Sequence, residues 1–248
     1  MTLALPPFFR LERFDRIDST SDEAKRRASA GAEEGTLIWA LEQSAGRGRR
    51  GRAWHSPRGN LFCSLVLRPR SAAAEAAQLG FAAALAVAEA CARALPADAD
   101  IRCKWPNDVL LGGAKVAGIL LESRADAEHG LDWLVLGIGI NLAAHPEGTE
   151  YPATSLAAAG ATVTSEAMLP ILAERLLAWY DTWRRQGFAP LREAWLARAF
   201  GLGAAIRVRL AAAEFGGRFA GLDEHGLLLL DGADGRKRIA AAEVFPAG

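Results

Sequence analysis

Residues 43–59 read QSAGRGRRGRAWHSPRG, and no regular element can be built from them. The segment lies between two β-rich runs, 36–41 (TLIWAL) and 61–67 (LFCSLVL), rather than between a strand and a helix. That placement predicts a loop over a sheet edge, able to close on something lying on the sheet. Gly46, Gly48 and Gly51 permit positive φ, so successive N–H groups could converge on one anion. Arg47, Arg49, Arg50 and Arg52 add planar donors that match phosphate or carboxylate. No Asp or Glu occurs from Gln43 to Ala74, although 29 basic residues balance 29 acidic ones in the whole chain. An empty loop of this kind should be mobile, and an anionic ligand should order it. It is not a P-loop, because the GK[ST] ending is missing. On charge alone, a solvated basic loop with weak RNA affinity is as consistent as an anion site.

The rest of the chain reads as a mixed α+β part, 1–200, followed by an all-β part, 201–248. No repeat is present. The first 18 residues are a lead-in with strand character. The TSDE run at 20–23 fits a capping box with Thr20 as N-cap and Glu23 reaching back, opening a helix to about residue 30 that Gly31 closes. A long Ala-rich helix is expected over 72–95, with Pro96 after it. Residues 101–105 alternate, with Ile101, Cys103 and Trp105 on one face and Arg102 and Lys104 on the other. Pro106-Asn107-Asp108 turns the chain into a hairpin, 109–111 and 115–122, around Gly112-Gly113. The strand 133–142 (WLVLGIGINL) is too apolar for an edge. An amphipathic helix over 165–185 carries Pro170 near its start, and a further helix covers 190–200. After Gly201, the short runs IRVRL, RFAGL, LLLL and RIAAAEVF, separated by Gly and Asp turns, predict a small β-barrel of about 45 residues.

Only four basic residues are lysines (Lys25, Lys104, Lys115 and Lys237), so a single Lys carries more information here than a single Arg. Lys115 stands alone in an apolar strand and needs a negative partner or water; a lysine snorkelling from a strand end has the same spacing. Asn107 and Asp108 can bond backbone or ligand. Gly118, Gly137 and Gly139 leave little bulk on a strand face, as a ligand floor or tight packing would require. Asn141 fits a polar contact or a turn cap.

Composition narrows the classes. With 248 residues and 51% hydrophobic content, the chain can bury one large domain, or a large one plus a small one. Disorder is excluded. Zero formal net charge argues against a dedicated nucleic-acid binder. Cys63, Cys91 and Cys103 form neither a disulfide framework nor a metal knuckle, which fits a reducing compartment. The start has no signal-peptide pattern. The apolar tract FAAALAVAEACARAL carries Glu89 and Arg93 and reads as too short for a membrane span. The expectation is a cytoplasmic protein with no membrane partner.

Taken together, Ser19-Thr20-Ser21, the Gln43–Arg52 run, Trp54, Lys104-Trp105-Pro106-Asn107-Asp108, Lys115–Glu122 (KVAGILLE) and Gly137-Ile138-Gly139-Ile140-Asn141 resemble the biotin protein ligase family, in family order. The resemblance covers about residues 10–248 and includes the C-terminal barrel. It implies a central mixed β-sheet flanked by helices, of the class II synthetase-like biotin/lipoate ligase type, plus a small SH3-like β-barrel. It implies ATP and biotin as substrates, with Mg²⁺ arriving transiently on ATP and no resident metal. Biotinyl-5′-adenylate would form first, and one lysine of the biotin carboxyl carrier protein of acetyl-CoA carboxylase would then take the biotin. By the same resemblance, Lys115 and Arg47 are catalytic, and Ser19, Thr20, Ser21 and Gln43 hold the ureido head of biotin. Arg47, Gly48, Arg49 and Lys115 serve its carboxylate end. Arg49, Arg50, Arg52, Trp54, Lys104, Asn107 and Asn141 lie on the nucleotide side. Asp108 caps a turn and His55 has no role. Ser21 departs from the pattern, since the family often has Asn there. Only 18 residues precede Ser19, so neither a helix-turn-helix repressor domain nor specific DNA binding is expected. A monomer or a homodimer fits. The alternatives are a lipoate–protein ligase and, in a different class, a nucleic-acid-binding module using the Arg-Gly loop.

Overall fold

The strand β3 (Leu61–Leu67) organises the molecule, because all seven of its residues are buried and both its faces are covered. Leu61, Cys63, Leu65 and Leu67 point to one side, and Phe62, Ser64 and Val66 to the other. The computed structural model describes residues 3–126, 130–210 and 213–246. Around β3 lie β1 (Arg10–Phe14), β2 (Thr36–Ala40), β4 (Ile101–Lys104), β5 (Asp108–Leu111), β6 (Ala114–Asp126) and β7 (Gly130–Ile140), in the spatial order β1-β2-β3-β7-β6-β5-β4. Only β1 and β2 run parallel, so the sheet is mixed. The apolar strand around Gly137 is central, as its composition predicts.

The alternation sorts the two faces. Ile38, Val66, Trp133 and Val135 pack under α1 (Thr20–Ser29) through Ala24 and Ala28. The opposite face joins the main core with α3 (Leu79–Ala92), α4 (Ser165–Gln186) and α5 (Ala189–Ala197). Three expectations need correction. The N-cap of α1 is Ser19, whose hydroxyl accepts the N–H of Asp22, and Thr20 is the first helical residue. Glu23 does not reach back; it pairs with Arg26 and Arg27. The long Ala-rich helix is two pieces, α2 (Ala73–Ala76) and α3, with a tightened turn at Ala77 and Gln78. There the Gln78 carboxamide accepts the indole N–H of Trp183 from α4 at 2.9 Å. Finally, Ala73–Ala92 is long and apolar enough to cross a membrane by length and composition, but 78% of its apolar window is buried inside this fold. It is the central core helix.

The C-terminal strands β8 (Ala205–Arg209), β9 (Glu214–Leu222), β10 (Leu228–Gly232), β11 (Gly235–Ile239) and β12 (Glu243–Pro246) form a second, wholly antiparallel sheet ordered β11-β10-β9-β8-β12. Its buried residues, Phe219 and Leu230 among them, are continuous with the main core. Polar contacts add to the join. The Trp105 indole donates to Gly226 O at 3.2 Å and Arg192 Nε to Leu222 O at 2.9 Å. The small sheet is thereby held against the β4–β5 end of the large one, and β12 comes to the site described below.

Trp195 of α5 is almost fully buried and meets the Phe81 ring edge-on at 5.5 Å. Trp195→Ala is expected to cost about 3–5 kcal/mol in urea unfolding. A loss below about 1 kcal/mol would contradict the packing described here.

Candidate functional site

The site begins with missing side chains. On the α1 face, strand register sets Gly139 beside Phe62 on one neighbour and Gly118 on the other, and Gly137 beside Ser64 and Leu120. Three glycines on adjacent strands leave a trough, part of a cleft of about 400 Å³. The Trp54 indole lies against this floor. A Cβ on Gly139 would stand 2.5 Å from Trp54 Nε1, and one on Gly118 would stand 3.0 Å from its ring. The indole N–H is buried with no hydrogen-bond partner among the described residues.

One end of the trough is uncharged and rich in hydroxyls. The first turn of α1 presents Ser19, Thr20 and Ser21. Ser64 Oγ donates to Thr20 Oγ1 at 2.9 Å, and Thr20 Oγ1 donates to Gln43 Oε1 at 3.0 Å. Since Ser64 spends its one proton on Thr20, Ser21 is the donor in the 3.1 Å Ser21–Ser64 contact. The Thr20 N–H also reaches Gln43 Oε1, at 2.7 Å, and Gln43 Nε2 donates to Ser56 Oγ at 2.9 Å. The chain of bonds holds every member in place while oxygen lone pairs remain for a ligand's N–H groups.

The other end is cationic. Asp108 holds two lysines, with Lys115 Nζ at 2.6 Å and Lys104 Nζ at 3.6 Å. Asp108 is therefore more than the turn cap the sequence suggests. Lys104 is buried, 4.2 Å from the Tyr151 ring centroid and 5.9 Å from that of Phe245. Burial pushes the Lys104 ammonium below the ordinary lysine range, against the opposing pull of Asp108. Burial likewise raises the Tyr151 phenol to about 12. Arg49 turns inward and donates to Asn107 Oδ1 at 3.0 Å. Asn107 Nδ2 is itself spent on Ile119 O at 2.7 Å. Desolvation lowers Arg49 from its ordinary value. Asn141 lines the cleft, with its amide bound to Thr154 O at 3.0 Å.

Every residue given a catalytic, biotin-side or nucleotide-side role in the sequence analysis lines this one cleft. Their charged groups do not all face it. The guanidinium of Arg47 pairs with Asp22 of α1, which Lys25 also contacts, and lies 3.8 Å from Glu122 of β6. Arg50 and Arg52 reach Glu243 on β12. The Arg-Gly loop thus has acidic partners at each end, where like-charge repulsion suggested free movement. The glycine reading also changes. Gly48 is extended, with φ −107, and of the three loop glycines only Gly51 is at positive φ, next to Arg50 at φ 56. Gly46 is needed for closeness, because a Cβ there would clash with Ser56 Oγ and Trp54 O. His55 is exposed at the rim.

Ser64, Tyr151, Phe245 and Glu243 escaped the sequence reading. Ser64 did carry a signal, being a hydroxyl inside an otherwise apolar strand. Among the described residues, no group of three or more His, Cys, Asp or Glu could hold a metal ion. The lining carboxylates Asp108, Glu150 and Glu243 each face a cation of the protein. This donor set does not form a resident magnesium site.

Comparison with known proteins agrees with this geometry. The model of the biotin/lipoate A/B protein ligase family matches residues 13–141, and that of the biotin protein ligase C-terminal domain matches residues 201–245. A biotin–[acetyl-CoA-carboxylase] ligase of Paracoccus denitrificans is 46% identical over 239 residues, covering 94% of this chain and 99% of that protein. The bifunctional ligase/repressor BirA of Bacillus subtilis is 37% identical, over 93% of this chain and 72% of that protein. Among solved structures, a biotin protein ligase from Aquifex aeolicus in complex with biotin and ATP superposes with a TM-score of 0.82 at 28% identity, covering 96% of this chain and 99% of that one.

The packing of Trp54 on the floor has a spectroscopic consequence. Gly139→Ala should lift the indole into water and move its emission, taken as the difference from Trp54→Phe in the same background, to the red. An unchanged difference spectrum in a stable Gly139→Ala protein would contradict the contact.

Proposed function

The chain belongs to the biotin/lipoate A/B protein ligase family, and we propose that it is an ATP-dependent biotin ligase whose cleft binds biotin over the Trp54 indole that covers the glycine floor. The observation that carries this reading is the polarity of one trough: hydroxyls at one end, an indole seated on glycines in the middle, cations at the other. Biotin has the same order of parts, a ureido head, an apolar body and a carboxylate. A ureido group offers two N–H donors and an acceptor to the Ser21–Ser64–Thr20–Gln43 chain. The dithiolane of lipoate has no N–H to offer the lone pairs that this chain of hydroxyls leaves open, and site polarity of this kind discriminates against it. The name of the Paracoccus relative supports the same acid.

In the first step the biotin carboxylate attacks the α-phosphorus of ATP, and the bond to pyrophosphate breaks. Two anions must approach each other, and Lys115 and Arg49 are placed to offset that repulsion from a partly dehydrated wall. Lys104, caged by Tyr151 and Phe245, adds fixed positive charge on the nucleotide side. Arg47 serves through its backbone position in the loop, since its side chain is held by Asp22. In the second step a lysine amine of the acceptor attacks the acyl carbon of the mixed anhydride and AMP leaves with the bonding pair. No enzyme nucleophile is required, and the three cysteines are buried with thiols pushed up to about 12. The loop over the trough keeps water from the anhydride. Mg²⁺ comes with the triphosphate as part of the substrate.

The acceptor in this reading is the biotin carboxyl carrier of acetyl-CoA carboxylase, supported by the name of the Paracoccus relative. The reduced cysteines and the demand for ATP support a cytoplasmic setting. Zero net charge supports a ligase without operator binding. Incubation with ATP, biotin and an isolated carrier domain should add one biotin to one lysine, read by intact and peptide mass spectrometry. An unmodified carrier would count against the reading.

Lys115→Ala should slow adenylate formation by about 10²–10³-fold with little change in melting temperature, since Asp108 keeps Lys104 as partner. Near-normal turnover would remove Lys115 from the chemistry. Because burial lowers Lys104, its charge is lost as pH rises toward, but still below, the ordinary 10.5. Adenylation should therefore decline on the alkaline side with an apparent pKa under 10.5, and Lys104→Arg should remove that limb. A flat profile through this range would show that the Lys104 charge is not used.

A further inference from the structure

Glu243 belongs to β12 of the C-terminal sheet, yet two of its cationic partners, Arg50 and Arg52, lie far back along the chain in the Arg-Gly loop. Its Oε1 faces Arg50 at 3.6 Å and also Arg52. Its Oε2 takes Arg209 of β8 at 2.6 Å, and Arg209 continues to Glu150 at 2.7 Å. One carboxylate, only 15% exposed, therefore joins three guanidinium groups from the loop and the small sheet. Burial alone would raise its carboxyl. The hydrogen bond from Arg209 and the charges of Arg52 and Arg50 overcome that, and the net direction is down, so Glu243 is ionised at neutral pH.

The local backbone shows what this contact does. Arg50 is a non-glycine residue at φ 56, a conformation that surrounding contacts must hold. The turn it sits in closes through Gly48 N–H to Arg52 O at 2.7 Å and Arg52 N–H to Arg49 O at 3.3 Å. Arg50 and Arg52 leave this turn toward Glu243 on the small-sheet side of the cleft, while Arg49 leaves it toward Asn107 on the large-sheet side. Fixing Arg50 and Arg52 fixes the direction of Arg49.

We propose that Glu243 is a positioning residue for adenylation: by clasping Arg50 and Arg52 from the C-terminal sheet, it orients the loop so that Arg49 points into the cleft. This inference rests on the ligase reading above. The C-terminal sheet thereby has a task in the first half-reaction, with Glu243 acting through the loop arginines.

The test compares Glu243→Gln, Glu243→Asp and Arg52→Gln in the full chain. Glu243→Gln keeps the shape and removes the charge. It should lower kcat for single-turnover biotinyl-adenylate formation roughly ten- to hundredfold, with KM for biotin within about twofold because the hydroxyl end is untouched. Glu243→Asp should recover part of kcat. Arg52→Gln should reproduce part of the loss, and adding Glu243→Gln to it should cost less than in the wild type. Limited trypsin digestion supplies a readout that needs no substrate: cleavage after Arg50 and Arg52 should quicken in Glu243→Gln. Wild-type kcat together with wild-type cleavage in Glu243→Gln would overturn the proposal. If Glu243→Gln does not fold, Arg52→Gln decides from the loop side, and unchanged kcat with unchanged cleavage after Arg50 would overturn it equally. If the wild type forms no adenylate, the ligase reading fails, and the trypsin comparison alone still decides whether Glu243 orders the loop.

Discussion

The structure depends on neutralising a run of arginines that repel one another. Arg47, Arg49, Arg50 and Arg52 occupy six consecutive positions. Three partners serve the four: Asp22 for Arg47, the Asn107 carboxamide for Arg49, and Glu243 for both Arg50 and Arg52. Partly exposed ion pairs of this kind contribute about 0.2–1 kcal/mol each. Together they are enough to bias the position of the loop. The partners come from α1, from the turn between β4 and β5, and from β12, so the loop is held both by the larger α+β part and by the small sheet. The position of the loop reports on the packing of both.

Beneath the loop, the trough exists because two adjacent strands put three glycines where other strands put bulk. Gly118 and Gly139 are register partners, and Gly137 sits two residues along the same face. The opposite face of the same strands carries Ile138, Ile140 and Ile119 in the main core. Period-two alternation thus separates stability from function within single strands. Residues 137–141 (GIGIN) serve both: the isoleucines anchor the sheet, the glycines open the floor, and Asn141 ties the strand end to Thr154. Trp54 covers the floor with its indole N–H unpaired, a costly arrangement that a ligand's acceptor would relieve.

Much of this was legible in the sequence. The strand 61–67, the helix starting at 165, the glycine hairpin and the change to short strands after Gly201 follow from local pattern, and the structure places them there. Local reasoning failed where distant partners decide. Ser19 and Thr20 are equally good caps by type, and Thr20 is drawn into the helix while its hydroxyl serves Gln43 and Ser64. The break at Gln78 answers Trp183, which lies far along the chain. Composition alone would let Ala73–Ala92 span a membrane, and only its burial shows it to be a core helix. The site residues were legible as a set. The directions of their side chains were not, because Asp22, Asp108 and Glu243 choose which cations face the cleft.

Pyrophosphate exchange into ATP measures the activation of biotin in this trough without any acceptor. In the presence of Mg²⁺, exchange should depend on biotin and be absent with lipoate or with no added acid. Exchange with lipoate in place of biotin would contradict the role given to the hydroxyl end of the trough. No exchange with either acid from a folded protein would contradict the assignment of the cationic end to adenylation.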